Sequence, residues 1–316
     1  MIAPLMLVAH LETAAAGFTQ PVQAQSGLHL LVVTGLSGEP VYAKRFHDVA
    51  GTLVDAARSR WGVEDSSRIY LAEDPAADPK RITGRATKEG VEAAFAALRR
   101  RAAPGDVVLI VLIGHGAQQG GESRLSLPGP DVTAVDFAAL LGGLERQTVV
   151  FVNAASASGD FVPVLSGPNR VVITATKSAF ERNATTFAEH FVRGLVSGDA
   201  DKDKDGRISV LEAFAYARQE VARAYQSANR LQTEHPQLSD SLLARTVAFG
   251  LEAEPGSSDP RVAALQAQRR QLEVQIAELR RRKPSLDSTA YARELERLLV
   301  ALAEKTAAIR AAREKP

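Results

Sequence analysis

Two segments about forty residues apart carry an imidazole and a hydroxyl to the ends of apolar runs. Val111-Leu-Ile-Gly-His-Gly-Ala117 delivers His115, and Val149-Val-Phe-Val-Asn-Ala-Ala-Ser-Ala-Ser-Gly159 delivers Ser156. Each run is rich in β-branched residues and closes in small ones, the pattern of a buried strand opening into a turn. In open α/β sheets, sites are built at the carboxyl ends of strands. A histidine and a serine on one rim suit nucleophilic catalysis, with the imidazole taking the hydroxyl proton. A serine needs that base well placed, and works best when a carboxylate orients it. Asp160 follows closely in the chain, but nothing in the spacing puts it behind His115. The alternative is that both residues cap strand ends, with Gly114 and Gly116 making a turn.

A second cluster points to metal chemistry. Asp201-Lys-Asp-Lys-Asp-Gly-Arg-Ile-Ser-Val-Leu-Glu212 fits the EF-hand calcium loop at every ligand position. Asp201, Asp203 and Asp205 place carboxylates at loop positions 1, 3 and 5. Gly206 allows the sharp turn, Arg207 offers its backbone carbonyl, Ser209 supplies position 9, and Glu212 binds bidentately at position 12. Ca²⁺ takes six to eight hard oxygens, and the clustered carboxylates repel one another without it. Ile208 is expected to face the core. Phe187, Phe191 and Leu195 give the preceding helix an apolar face, and Leu211, Phe214 and Ala215 the following one. A single loop predicts a structural role, with the ~10⁻⁴–10⁻³ M affinity of extracellular modules.

The first pair of segments resembles a known family. Gly114-His115-Gly116 and Ala155-Ser156-Ala157-Ser158-Gly159 are similar to the core of the caspase/legumain-like cysteine peptidases. In that family a strand ending in His-Gly is followed by one ending in a cysteine that precedes x-Ser-Gly. Leu125-Ser-Leu-Pro128 and the next apolar run, Val171-Val-Ile-Thr-Ala-Thr176, also look similar, and the resemblance covers roughly residues 28 to 250. It implies that the amides of Gly116 and Ala157 form an oxyanion hole. One departure outweighs these agreements: Ser156 stands at the nucleophile position, and the chain contains no cysteine. A thiol of pKa ~8.5 beside an imidazolium yields a ready thiolate, whereas a hydroxyl depends wholly on the base. Lys44, Arg45, Lys177, Glu181 and Arg182 are rim candidates for recognising a peptide, none matching a transferable pattern.

The elements that must position these residues are legible as alternating strands and helices. Residues 28–34, 68–72, 106–113, 148–154 and 170–176 read as strands. Residues 41–61, 88–101 with Thr87 as N-cap, 134–144, 185–197 and 209–229 read as helices. The expected fold is a three-layer, caspase-like α/β domain with a mostly parallel sheet over residues 28–250, holding the calcium loop at 201–212. The stretch 230–257 is expected to be irregular, with Pro255-Gly-Ser-Ser258 inside a linker at 251–258. In the tail, 259–316, Val262, Leu265, Leu272, Ile276 and Leu279 form an apolar seam with Arg269 at one seam position. After Lys283-Pro-Ser285 the pattern resumes at Tyr291, Leu295, Leu298, Leu302 and Ile309, interrupted by Lys305. This predicts an antiparallel coiled-coil hairpin, a packing arm or a self-association element.

Bulk properties narrow the function. The chain has 316 residues, 45% hydrophobic content and a formal net charge of +1, so no overall field draws it to nucleic acid or anionic membranes. Without cysteine there is no disulfide framework and no thiolate metal site. Residues 1–27 begin Met1-Ile-Ala-Pro-Leu-Met-Leu-Val-Ala9 and offer Val22-Gln-Ala24 before a cleavage after Ala24, which resembles a secretory signal. The basic start of such a signal is missing and Glu12 interrupts it. The expectation is export to the periplasm or medium, the alternative a disordered N-terminal tail on a cytoplasmic chain. The remaining chain has no apolar run near the ~18 residues of a spanning helix. Three readings stand: a pseudo-peptidase that binds peptides or a protein partner, an active hydrolase with Ser156 as nucleophile and His115 as base, and an assembly protein acting through its hairpin.

Overall fold

The computed structural model describes residues 27–204, 207–249 and 260–313. The first half of the chain runs β1 (Leu28–Thr34), α1 (Pro40–Ser59), β2 (Arg68–Ala72), β3 (Gly84–Arg85), α2 (Lys88–Arg101), β4 (Val107–Ile113), β5 (Gly116–Gln119), β6 (Glu122–Leu125) and β7 (Val132–Thr133). It continues with α3 (Ala134–Leu140), β8 (Thr148–Asn153), α4 (Phe161–Leu165), β9 (Arg170–Thr174), α5 (Phe187–Ser197), β10 (Ile208–Ser209) and α6 (Val210–Ser227). The last elements are β11 (Gln237–Leu238), α7 (Ser241–Thr246), β12 (Ala248–Phe249), α8 (Pro260–Arg281) and α9 (Ser288–Arg313).

Seven strands form the central sheet in the order β11-β9-β8-β4-β1-β2-β3. All neighbours are parallel except β11, which runs antiparallel on β9. The apolar runs explain the layering. Along β1, Leu30 and Val32 join one buried cluster with Phe46, Leu53, Phe187, Phe191 and Phe214 from α1, α5 and α6. Leu31 and Val33 point the other way, into a cluster with Phe95, Phe137 and Phe161 from α2, α3 and α4. A strand covered on both faces has no solvent side, hence its near-continuous hydrophobicity. On the second face Phe137 contacts the rings of Phe95, Phe151 and Phe161. Each such buried ring contributes about 2–3 kcal/mol.

Local signals set the helix starts. Thr87 accepts from the Gly90 amide at 3.1 Å, capping α2 as expected. Pro40 occupies the first turn of α1, where its missing N–H costs nothing. Three expectations are corrected. The helix expected over 134–144 stops at Leu140. The stretch 230–257, expected to be irregular, contains β11, α7 and β12, with Asp240 capping α7 through the Leu242 and Leu243 amides at 3.0 and 2.9 Å. Directly after His115 the chain forms an unforeseen three-stranded sheet, β5-β6-β7. Its first turn uses Gly120 and Gly121 at φ 62° and 84°, the left-handed pair that a tight hairpin requires.

The chain order makes His115 central. From β1 the chain steps to β2 and β3 on one side, then returns to β4 on the other. The carboxyl ends of β1 and β4 therefore flank the point where strand order reverses, the usual crevice of open α/β sheets. At the far end of the chain, α8 and α9 pack along each other across a short 3-10 turn at Lys283–Ser285. Ile276, Leu279 and Leu298 are their core, flanked by Leu272, Tyr291, Leu295 and Leu302. Among the described residues no helix is long and apolar enough to cross a membrane. The expected signal segment lies outside the described residues except Gly27, and the linker at 251–258 lies wholly outside them.

Candidate functional site

β4 and β8 are adjacent, and Leu112 pairs with Asn153, so the turns bearing His115 and Ser156 leave the sheet side by side. Ser156 is buried, 2% exposed. Its Oγ accepts from the Gly116 amide at 3.1 Å and donates to the Gly116 carbonyl at 3.2 Å. The close approach explains the glycine: a Cβ on Gly116 would collide with the Ser156 carbonyl oxygen. The His115 ring turns elsewhere. Its Nε2 bonds the Ser37 carbonyl at 3.2 Å, while Tyr42 and Phe46 meet the ring edge-on at centroid distances of 4.7 and 5.4 Å. Both hydrogen bonds of the hydroxyl are spent on backbone, and none joins it to the imidazole.

The other parts of a catalytic set are engaged as well. Ala157 sits at φ 50°, a left-handed conformation that costs a non-glycine residue about 1–2 kcal/mol. It is held there because its amide donates to the Glu181 carbonyl at 2.8 Å. That N–H, which the resemblance assigns to an oxyanion hole, is thus occupied. The next two amides, of Ser158 and Gly159, both donate to Thr176 Oγ1, at 2.7 and 3.1 Å, fastening the turn to the segment that follows β9. Asp160 accepts from Ser123 Oγ at 2.9 Å and lies behind the β5–β6 hairpin. Among the described residues no carboxylate is hydrogen-bonded to His115.

Two concavities are lined by residues that contact His115: Ser37 and Phe46 in one, Tyr42 in the other. One of about 500 Å³ is lined by Ser37, Pro40, Phe46, Tyr70, Glu73 and Ile82, among others. The other, about 400 Å³, is lined by Tyr42, Arg45, Asn183, Thr186, Tyr225 and Arg230, among others. Both are large enough for side chains of a bound peptide. The rim charges have local partners. Lys44 pairs with Asp48 at 2.6 Å, Arg45 binds Glu189 and the Thr185 carbonyl, and Arg182 reaches the Ala179 carbonyl at 3.4 Å. Glu181 is buried and accepts from the amides of Lys177 and His235 at 2.9 and 3.1 Å and from the His235 ring. Glu234, 1% exposed, accepts from the amides of Thr186 and Phe187 and so caps α5. Burial pushes the Glu234 carboxyl above its ordinary range, against those hydrogen bonds. Glu181 and Glu234 bind the 177–187 loop to the 233–236 segment. Its only sequence signal was the polar run Thr233-Glu-His-Pro236 in an otherwise unassigned stretch.

The acidic loop is assembled around Glu212. Carboxylate oxygens of Asp201, Asp203 and Glu212 lie within 4.8 Å of one another. A cation with oxygen bonds of about 2.3–2.6 Å spans that separation, so the donor set fits Ca²⁺. Glu212 Oε1 accepts from the Lys202 amide at 3.0 Å, and Oε2 from Ser209 Oγ at 2.7 Å. Ser209 and Glu212 form a capping box at the start of α6. Ile208 is 6% exposed, and β10 pairs antiparallel with β12, Ile208 opposite Phe249. Arg207 is among the described residues, whereas Asp205 and Gly206 lie outside them. Arg269 of α8, expected in the helix seam, reaches the loop and binds Asp203 at 2.7 Å.

No protein-family model matches the chain, and no curated protein matches it. Among solved structures, protein GSU0716 from Geobacter sulfurreducens is similar at 12% identity and TM-score 0.43, over 74% of this chain and 96% of that one. The structure of drICE is similar at 10% identity and TM-score 0.37, over 70% of this chain and 90% of that one.

Proposed function

We propose that the chain is a caspase/legumain-like pseudo-peptidase that binds a peptide or protein partner at the His115 rim without hydrolysing it. One observation carries the reading: the Ser156 hydroxyl is spent on both backbone groups of Gly116 while His115 is turned to Ser37. General-base catalysis requires the base within reach of the proton it removes. Occupation of the Ala157 amide by Glu181 supports the same conclusion, since transition-state charge needs open donors. What remains is a crevice at the switch point flanked by two concavities. The test is labelling of the purified protein with a fluorophosphonate probe, with Ser156→Ala as control. The expected result is no Ser156-dependent labelling. Labelling that the substitution removes would make the chain a serine hydrolase instead.

The same protein is proposed to bind Ca²⁺ through Asp201, Asp203, Asp205, Glu212, the Arg207 carbonyl and Ser209. The converging oxygens of Asp201, Asp203 and Glu212 support this. Bound metal would tie the end of α5 to the start of α6, a structural role. At calcium one hundred times Kd the expected gain is about 2.7 kcal/mol of unfolding free energy. Equal melting curves in calcium and in chelator would overturn it. An exported chain would meet calcium levels that suit such a site, and mass spectrometry of the secreted N-terminus tests that placement.

A further inference from the structure

We propose that Arg269 is a tethered cation competing with calcium for the carboxylates of Asp201, Asp203 and Glu212, so that metal binding and docking of the α8–α9 hairpin oppose each other. The proposal rests on the calcium reading above. Its ground is the ion pair between Arg269 on α8 and Asp203 in the loop, at 2.7 Å. The Arg269 side chain is 9% exposed, against 40% for Asp203, so the guanidinium is buried where the hairpin meets the body.

The docking face explains why this contact can switch. Among the described residues in the N-terminal half of α8 the buried positions are Val262, Gln266 and Arg269, spaced four and three apart on one face. Two of these three are polar, so apolar contact is not all that holds this face down. Further along the hairpin, Ile276, Leu279 and Leu298 pack between its own helices. A guanidinium is charged at every accessible pH, so it cannot relieve a nearby cation by losing a proton. A divalent ion on Asp201, Asp203 and Glu212 therefore meets a fixed positive charge on one of its own ligands. It repels that charge and weakens the hold of Asp203 on it. Glu273, one turn on from Arg269 with an oxygen 3.8 Å from Nε, gives the displaced guanidinium a partner within its own helix. Released from the loop, Arg269 is not left unpaired.

Coupling between two ligands of one site is reciprocal: what calcium does to docking, docking does to calcium. Calcium titration by calorimetry on the full chain should therefore give Arg269→Gln a higher affinity than the parent. The expected gain is about tenfold, within the usual 5–150-fold range of coupling. Arg269→Lys, which keeps the charge, should stay near the parent value. The cysteine-free chain also accepts a clean label pair. Spin labels on Ser59→Cys and Val300→Cys should move apart or broaden when calcium is added. With Arg269→Gln they should start released and ignore calcium. The proposal is overturned if Arg269→Gln binds calcium no tighter than the parent, or if saturating calcium leaves the label distance unchanged. A titration that is flat in both chains overturns the calcium reading together with it, which separates the two failures.

Discussion

The Ser156 hydroxyl has one proton to give, and it gives it to the Gly116 carbonyl 3.2 Å away. That choice follows from how closely the two turns pass: with no Cβ on residue 116, the chain after β8 rests on the chain after β4. A side chain only three bonds long then finds backbone before it finds the ring. The imidazole meanwhile is wedged against Tyr42 and Phe46, so reorienting it means moving aromatic groups of α1. A thiol placed here inherits the same geometry. Ser156→Cys is expected to react with iodoacetamide about tenfold or more slowly than a free thiol, because a buried sulfur without an imidazolium partner stays protonated. A rate at or above that of free cysteine would show that His115 does reach position 156.

Among the elements, β1 and β4 are joined at the end opposite the site by a histidine–carboxylate pair. His29 Nε2 lies 3.0 Å from Asp106 Oδ2, and the amides of Gly27 and Ala103 donate to the same carboxylate at 2.7 and 2.8 Å. Burial alone would raise the Asp106 carboxyl, but the bonds from His29, Ala103 and Gly27 hold it below its ordinary range. A depressed carboxyl favours the charged folded form. Its contribution is therefore present above the ordinary aspartate value and is lost as pH falls through the lower, folded value. Asp106→Asn should cost about 1–3 kcal/mol at pH 7. The difference from the parent should shrink below about pH 4. Urea denaturation across that range checks it; a cost that does not vary with pH would assign the effect to shape alone.

For the whole molecule, the apolar clusters divide the labour. Two lie on either face of the sheet, and a third belongs to the hairpin. A chain ending at Phe249 keeps both sheet clusters intact. It is expected to fold and to melt within about 4 °C of the parent, since about 1 kcal/mol shifts a domain of this size by 2–4 °C. Scanning calorimetry measures it, and a collapse of the transition would make the hairpin part of the body's core.

Much of this architecture was legible because it obeys short-range rules. Continuous β-branched runs mark strands buried on both faces, Thr87 marks a helix start, and a repeat of three and four residues marks the tail. The acidic pattern from Asp201 to Glu212 is equally local, since its oxygens come from one short stretch of chain. The order of residue types was thus enough for the layered α/β body, the helical hairpin and the nearness of His115 and Ser156 to one rim. It did not determine where those side chains point. That depends on contacts between residues far apart in the chain: Gly116 with Ser156, His115 with Ser37, Ala157 with Glu181, and Arg269 with Asp203. These were settled by the folded chain alone, because a hydrogen bond is decided within a few tenths of an ångström, and the pattern of residue types carries no such distance between residues far apart in the chain.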